Sequence, residues 1–148
     1  MKCAVPILAL LLWLPSACHQ SDDRAAPPAA SIRLPTVPGR PGVGYFDLDV
    51  EPEQAALRSV TSPQIGRIEM HETMFSGAMS GMRPLDRAAI VAGERLVFAP
   101  GGRHLMLFDV NPALRPGSRA ILTFHFERGP DRILAASVRS PGEPEPAR

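Results

Sequence analysis

Polar and apolar residues alternate with a period of two through much of the chain, the pattern of strands with one face in a core and the other in water. Gly44 to Val50 sets Phe46, Leu48 and Val50 on one face and Tyr45, Asp47 and Asp49 on the other. Ala55 to Val60 reads as a short strand after the Glu51-Pro52-Glu53 turn, and Ile65 to Thr73 sets Ile68 and Met70 against Glu69, His71 and Thr73. Arg95 to Ala99 lies between Ala92-Gly93-Glu94 and Pro100-Gly101-Gly102, and His104 to Val110 is apolar on both faces, as a central strand would be. After the Arg115-Pro116-Gly117-Ser118 turn, Ala120 to Glu127 turns Leu122, Phe124 and Phe126 inward. Ile133 to Val138 closes the set after Arg128-Gly129-Pro130-Asp131. Seven or eight such strands, with no long helical pattern and no internal repeat, predict a single all-β domain, a sandwich or barrel.

Composition narrows this picture. The 148 residues suffice for one domain, and 45% hydrophobic with 21% charged residues is a globular balance. Seventeen prolines and 12 glycines punctuate the chain as a fold of short strands requires. A net charge of +1, from scattered basic residues, argues against nucleic acid as a partner. Both cysteines, Cys3 and Cys18, lie near the amino terminus, so the body of the chain holds no thiolate metal site, redox pair or cysteine nucleophile.

Lys2 followed by the apolar run Ala4 to Leu14 reads as an export signal, since the run is too short to span a bilayer. It ends in Leu14-Pro15-Ser16-Ala17-Cys18, which resembles a bacterial lipobox with Pro15 at a position where leucine is usual. We read residues 1–17 as a lipoprotein signal with Cys18 lipidated, and plain secretion as the alternative; either exports the domain. Residues 18–30 then form a disordered linker, residues 31–139 the folded domain, and residues 140–148 a disordered tail rich in Pro, Glu and Gly.

The candidate chemistry lies in the methionines. Apart from Met1, all of them, Met70, Met74, Met79, Met82 and Met106, fall in one window that also holds His71 and His104. Thioethers are soft neutral donors and imidazole is borderline, a combination that suits Cu(I). Zinc would call for Cys, His or carboxylate. In His104-Leu105-Met106 the two donors share one face of a strand, and His71 lies on another strand, opposite Ile68 and Met70. Met82 ends the flexible, hairpin-like segment Ser76-Gly77-Ala78-Met79-Ser80-Gly81, so two strands and a loop could supply four donors to one ion.

These residues carry a resemblance. His71, ten residues, Met82, twenty-one residues, His104, one residue and Met106 match the motif of the periplasmic copper chaperones called PCuAC. The flanks Ile68 to Thr73, Met82-Arg83-Pro84, Pro100-Gly101-Gly102, His104 to Leu107 and Pro41 to Phe46 look like segments of the same family, over roughly residues 31–138. The resemblance implies a cupredoxin-like β-sandwich or Greek-key barrel that carries Cu(I), with Cu(II) as a secondary state. It also implies delivery to a copper-accepting partner, the copper subunit of cytochrome c oxidase or a thiol-containing assembly factor.

Other readings stand beside these. Met70 is read as core and His125 as a solvated strand residue; Met74 and Met79 are loop residues or auxiliary donors, and His19 is incidental. Glu69 and Glu72 flank His71 as surface charges, although one of them could orient the imidazole. No nucleophile motif, paired carboxylates or phosphate-binding glycine loop stands out, so an enzyme is not expected. Without a thiolate in the body, neither is a blue-copper electron carrier. A monomeric Cu(I) carrier working by ligand exchange is the favoured reading. The alternatives are an envelope copper buffer for tolerance and a metal-free β-sandwich interaction module.

Overall fold

The computed structural model describes residues 29–77, 79–91 and 94–144. The signal, Cys18, His19, most of the linker and the last four residues lie outside the described residues.

Ten strands make up the elements: β1 (Ala29–Arg33), β2 (Gly42–Leu48), β3 (Ala56–Thr61), β4 (Ile65–Ser76), β5 (Met79–Leu85), β6 (Ala88–Ala89), β7 (Leu96–Phe98), β8 (Arg103–Val110), β9 (Arg119–Phe126) and β10 (Arg132–Arg139). Hydrogen bonding joins them in the order β5-β4-β8-β2-β1-β10-β9-β3-β6, with β7 also paired to β2. The β1–β10 pair is parallel and every other pair is antiparallel.

This one sheet curls over itself to bury its apolar face. Phe46 on β2 stacks on Phe98 of β7 with ring centroids 4.4 Å apart, and meets Phe124 of β9 edge-on at 4.7 Å. In the pairing order β2 and β9 are separated by β1 and β10, so the Phe46–Phe124 contact crosses the core of a sandwich. Gln64, at the corner between β3 and β4, ties the two halves. Its carbonyl accepts the Asn111 N–H after β8, and its side-chain oxygen accepts the Ile121 N–H on β9.

The all-β expectation therefore holds, and the alternating segments coincide with strands to within a few residues. Three strands were not expected. β1 begins at Ala29, two residues ahead of the expected domain boundary, because Ala29 and Ala30 pair with Asp47 and Phe46. At the other end, Glu143 accepts hydrogen bonds from Arg139 and from the Ser140 N–H, so the first residues of the expected tail form a clasped turn. β5 takes the place of the expected loop around Met82, and the short β6 follows it.

Candidate metal centre

β4 and β8 pair in a single unbroken sense around the candidate residues: Glu69 opposite Met106, Met70 opposite Leu105, and His71 opposite His104. On the other side of β4, β5 pairs Thr73 with Met82 and His71 with Pro84. Directly opposed residues in an antiparallel pair point to the same face, and so do residues two apart on one strand. The register therefore places His71, Met82, His104 and Met106, together with Glu69 and Thr73, on one face of a three-stranded surface. The four predicted residues thus share one face, with His71 and His104 directly opposed.

Behind His71, His104 and Met106 the reverse face of β4 and β8 is core: Met70 is 5% exposed and Leu105 and Leu107 are buried. That packing fixes the backbone of these two strands from behind, whereas the β5 segment that carries Met82 is exposed on both faces. The packing also meets the expectation that Met70 packs inward. The pairing of Met74 with Gly81 and of Ser76 with Met79 puts both of these methionines on the reverse face of the hairpin, away from the quartet.

Exposure grades across the site. His104 is only 7% exposed, although it lies on the outer face of β8. The His71 side chain is 17% exposed, whereas Met82 is 62% exposed. The two imidazoles are thus covered, not solvent-facing, and the thioether of Met82 stands open to a visitor. Met82 sits in a strand at the sheet edge, where Pro84 is tolerated because an edge strand can do without that N–H. The expected loop is replaced by a strand, so the thioether is held in register and does not swing on a tether.

The hydrogen bonds define which ring nitrogens are available. Nδ1–H of His104 donates to the Gly102 carbonyl at 3.1 Å, leaving the Nε2 lone pair. His71 donates Nε2–H to the Glu69 carboxylate at 3.1 Å. Its Nδ1 is buried and has no hydrogen-bond partner among the described residues. A buried nitrogen without a partner is costly unless something else satisfies it. The ring centroids of His71 and His104 lie 6.1 Å apart with planes tilted by 35°. Glu72 turns away to pair with Arg83 at 2.7 Å. Of the two glutamates weighed as an orienting group, Glu69 is the one in contact. Its i, i+2 spacing from His71 on a strand is the signal that distinguishes it in the sequence.

Among the described residues no cluster of three or more His, Cys, Asp or Glu side chains is placed to hold a metal. The side chains on this face that could donate to a metal include two imidazoles and two thioethers, a mixture of borderline and soft donors. His125 lies at the surface, as expected of a solvated strand residue, with its side chain 35% exposed. It hydrogen-bonds Thr61 Oγ1 at 2.8 Å and Asp131 at 2.7 Å, and so stitches β3 and β9 to the β9–β10 turn.

Comparison with known proteins agrees with this architecture. The family described as "Putative lipoprotein LpqE-like" matches residues 24–138. A protein of Rickettsia prowazekii named "Uncharacterized protein RP573" is 29% identical over 134 residues, covering 82% of this chain and 74% of its own. Among solved structures, the copper-bound PCuAC domain of PmoF2 superposes with a TM-score of 0.62 at 22% identity, over 77% of this chain and 92% of that one. Cu(I)-bound DR1885 of Deinococcus radiodurans gives 0.60 at 23% identity, over 83% and 85%. The domain thus has the cupredoxin-like fold of PCuAC domains, and the chain belongs to the LpqE-like lipoprotein family.

Proposed function

We propose that this protein is a periplasmic Cu(I) chaperone that holds one copper ion with His71, Met82, His104 and Met106 and passes it on by ligand exchange. The observation that carries the reading is the register of β4, β5 and β8, which gives the four soft and borderline donors a common face. Further support comes from the unpartnered Nδ1 of His71 and from the copper-bound state of the PmoF2 domain and of DR1885, which share the fold.

The chemistry follows from the donor types. Four neutral ligands leave the positive charge of Cu(I) uncompensated and favour the soft monovalent ion over Cu(II). The covered imidazoles anchor the ion, while the exposed Met82 is the ligand that an incoming group displaces first. An acceptor thiolate binding there would draw the ion away down an affinity gradient, one ligand at a time. The acceptor class is a thiolate-bearing copper protein, the oxidase copper subunit or an assembly factor serving it. The lipoprotein character of the family agrees with tethering at Cys18 in the cell envelope.

Anaerobic titration with Cu(I) in competition with bicinchoninate tests this reading. About one Cu(I) per chain is expected, and no uptake would leave a metal-free interaction module in its place. Delivery separates from buffering in a deletion strain. Loss of oxidase activity under copper limitation marks a delivery protein, and copper sensitivity with intact oxidase marks a buffer.

A further inference from the structure

We propose that Glu69 is a positioning residue of this site: it locks His71 in the tautomer that offers Nδ1 to the ion, while the Gly102 carbonyl locks His104 in the one that offers Nε2. The inference rests on the Cu(I) reading above and deepens it, since the two imidazoles would then bind through unlike nitrogens.

A neutral imidazole carries one N–H and one lone pair, so whatever accepts the N–H decides which nitrogen can ligate. At His71 the acceptor is Oε2 of Glu69, at 3.1 Å from Nε2. An ionised carboxylate only accepts, so Nε2 carries the hydrogen and Nδ1 the lone pair. That Nδ1 is the buried atom left without a partner among the described residues. At His104 the arrangement is reversed, with Nδ1 donating to the Gly102 carbonyl at 3.1 Å.

Glu69 is itself held. Its other oxygen, Oε1, pairs with the Arg67 guanidinium, and that guanidinium lies over the Phe108 ring with Cζ 3.9 Å from the centroid. Arg67 faces Phe108 and Glu69 faces Met106 across the β4–β8 ladder, so this row of side chains leads along the outer face to the site. Each carboxylate oxygen thereby has a partner, so the side chain is held from both sides. Arg67 balances the carboxylate charge, so the positioning group adds none to the site. A carboxylate accepting the far N–H of a ligating histidine also raises the basicity of the ligating nitrogen.

Long-range proton–nitrogen correlation spectra of the ¹⁵N-histidine-labelled metal-free protein, above neutral pH, read the tautomers directly. The expected result is a protonated Nε2 on His71 and a protonated Nδ1 on His104. On loading with Cu(I), the large nitrogen shifts should fall on Nδ1 of His71 and Nε2 of His104. Glu69→Ala should leave the His71 tautomer mixed and weaken Cu(I) binding about tenfold or more, whereas Glu69→Gln, which keeps an acceptor oxygen, should recover most of both. Glu72→Ala, on the opposite face, should change neither. A protonated Nδ1 on His71 in the wild-type protein, or a Glu69→Ala variant with unaltered tautomer and affinity, would overturn the proposal. Should the wild type take up no Cu(I), the chaperone reading fails, and the metal-free spectra still decide whether Glu69 sets the tautomer.

Discussion

His71 and His104 stand directly opposite each other on β4 and β8, their ring centroids 6.1 Å apart. Cross-strand pairing of two imidazoles makes a fixed pair of borderline donors, and Met106, two residues along from His104, adds a soft donor to the same face. In the proposed Cu(I) site the selectivity then depends on the thioethers. Met106→Ala should lower Cu(I) affinity by at least about tenfold, about 1.4 kcal/mol, and Cu(II) affinity much less. Bicinchoninate competition for Cu(I) beside a Cu(II) titration checks this, and a variant that binds Cu(I) like the wild type would remove Met106 from the site.

Met74 and Met79 provide the internal control. Both are exposed, but the β4–β5 register puts them on the reverse side of the hairpin from Met82. Met74→Ala and Met79→Ala should each keep Cu(I) stoichiometry and affinity within about twofold of wild type, about 0.4 kcal/mol. Met82→Ala should weaken binding and speed transfer to a dithiol acceptor, because it removes the ligand that the acceptor must displace first.

Support for the site from behind is equally open to measurement. Leu105 is fully buried between the two donors of β8 and faces Met70. Leu105→Ala should destabilise the metal-free protein by about 2–5 kcal/mol, the range for a truncated core leucine. Chemical denaturation reads this as a lower midpoint at unchanged slope.

Asp109 holds a φ of 54° near the end of β8, the left-handed region that a non-glycine residue occupies at a cost. It is close to Gly66 on β4, where an added Cβ would come within 2.9 Å of the Asp109 Cβ. Asp109→Gly should therefore stabilise the domain by about 1 kcal/mol, and Gly66→Ala should destabilise it. Melting temperatures of the two variants should move in opposite directions.

Acid should loosen the carboxyl-terminal clasp. The Ser140 N–H and the Arg139 guanidinium hold the Glu143 carboxyl below the usual carboxylate range. A depressed folded-state value means that the contribution is present above the unfolded-state value and is lost as pH falls through the folded one. Protection of the Ser140 amide against exchange, relative to its intrinsic rate at each pH, should accordingly persist at neutral pH and be lost only on strong acidification. Glu143→Ala, which leaves no acceptor, should remove that protection at every pH.

Much of this architecture is legible in the sequence because period-two alternation reports directly on burial. Phe46, Leu48, Leu122 and Phe124 were readable as inward-facing, and all are buried. The spacing His104-Leu105-Met106 likewise fixes a shared face once the strand is recognised. β1 escaped because Ala29-Ala30-Ser31 carries no contrast between faces, and its position between β2 and β10 is set by partners remote in the chain. β5 escaped because Gly81 and Pro84 read as loop, although an edge strand pairs on one side only and tolerates both. The covering of His104 was invisible for a similar reason: alternation gives the side of the sheet a residue faces, and it does not give what lies over that side. The choice between Glu69 and Glu72 could have been made from strand parity alone.

X-ray absorption at the copper edge, on protein loaded anaerobically with an equivalent of Cu(I), tests the central claim most directly. Two sulfur and two nitrogen scatterers, from Met82, Met106, His71 and His104, are the predicted shell. A shell of nitrogen and oxygen without sulfur would contradict the account.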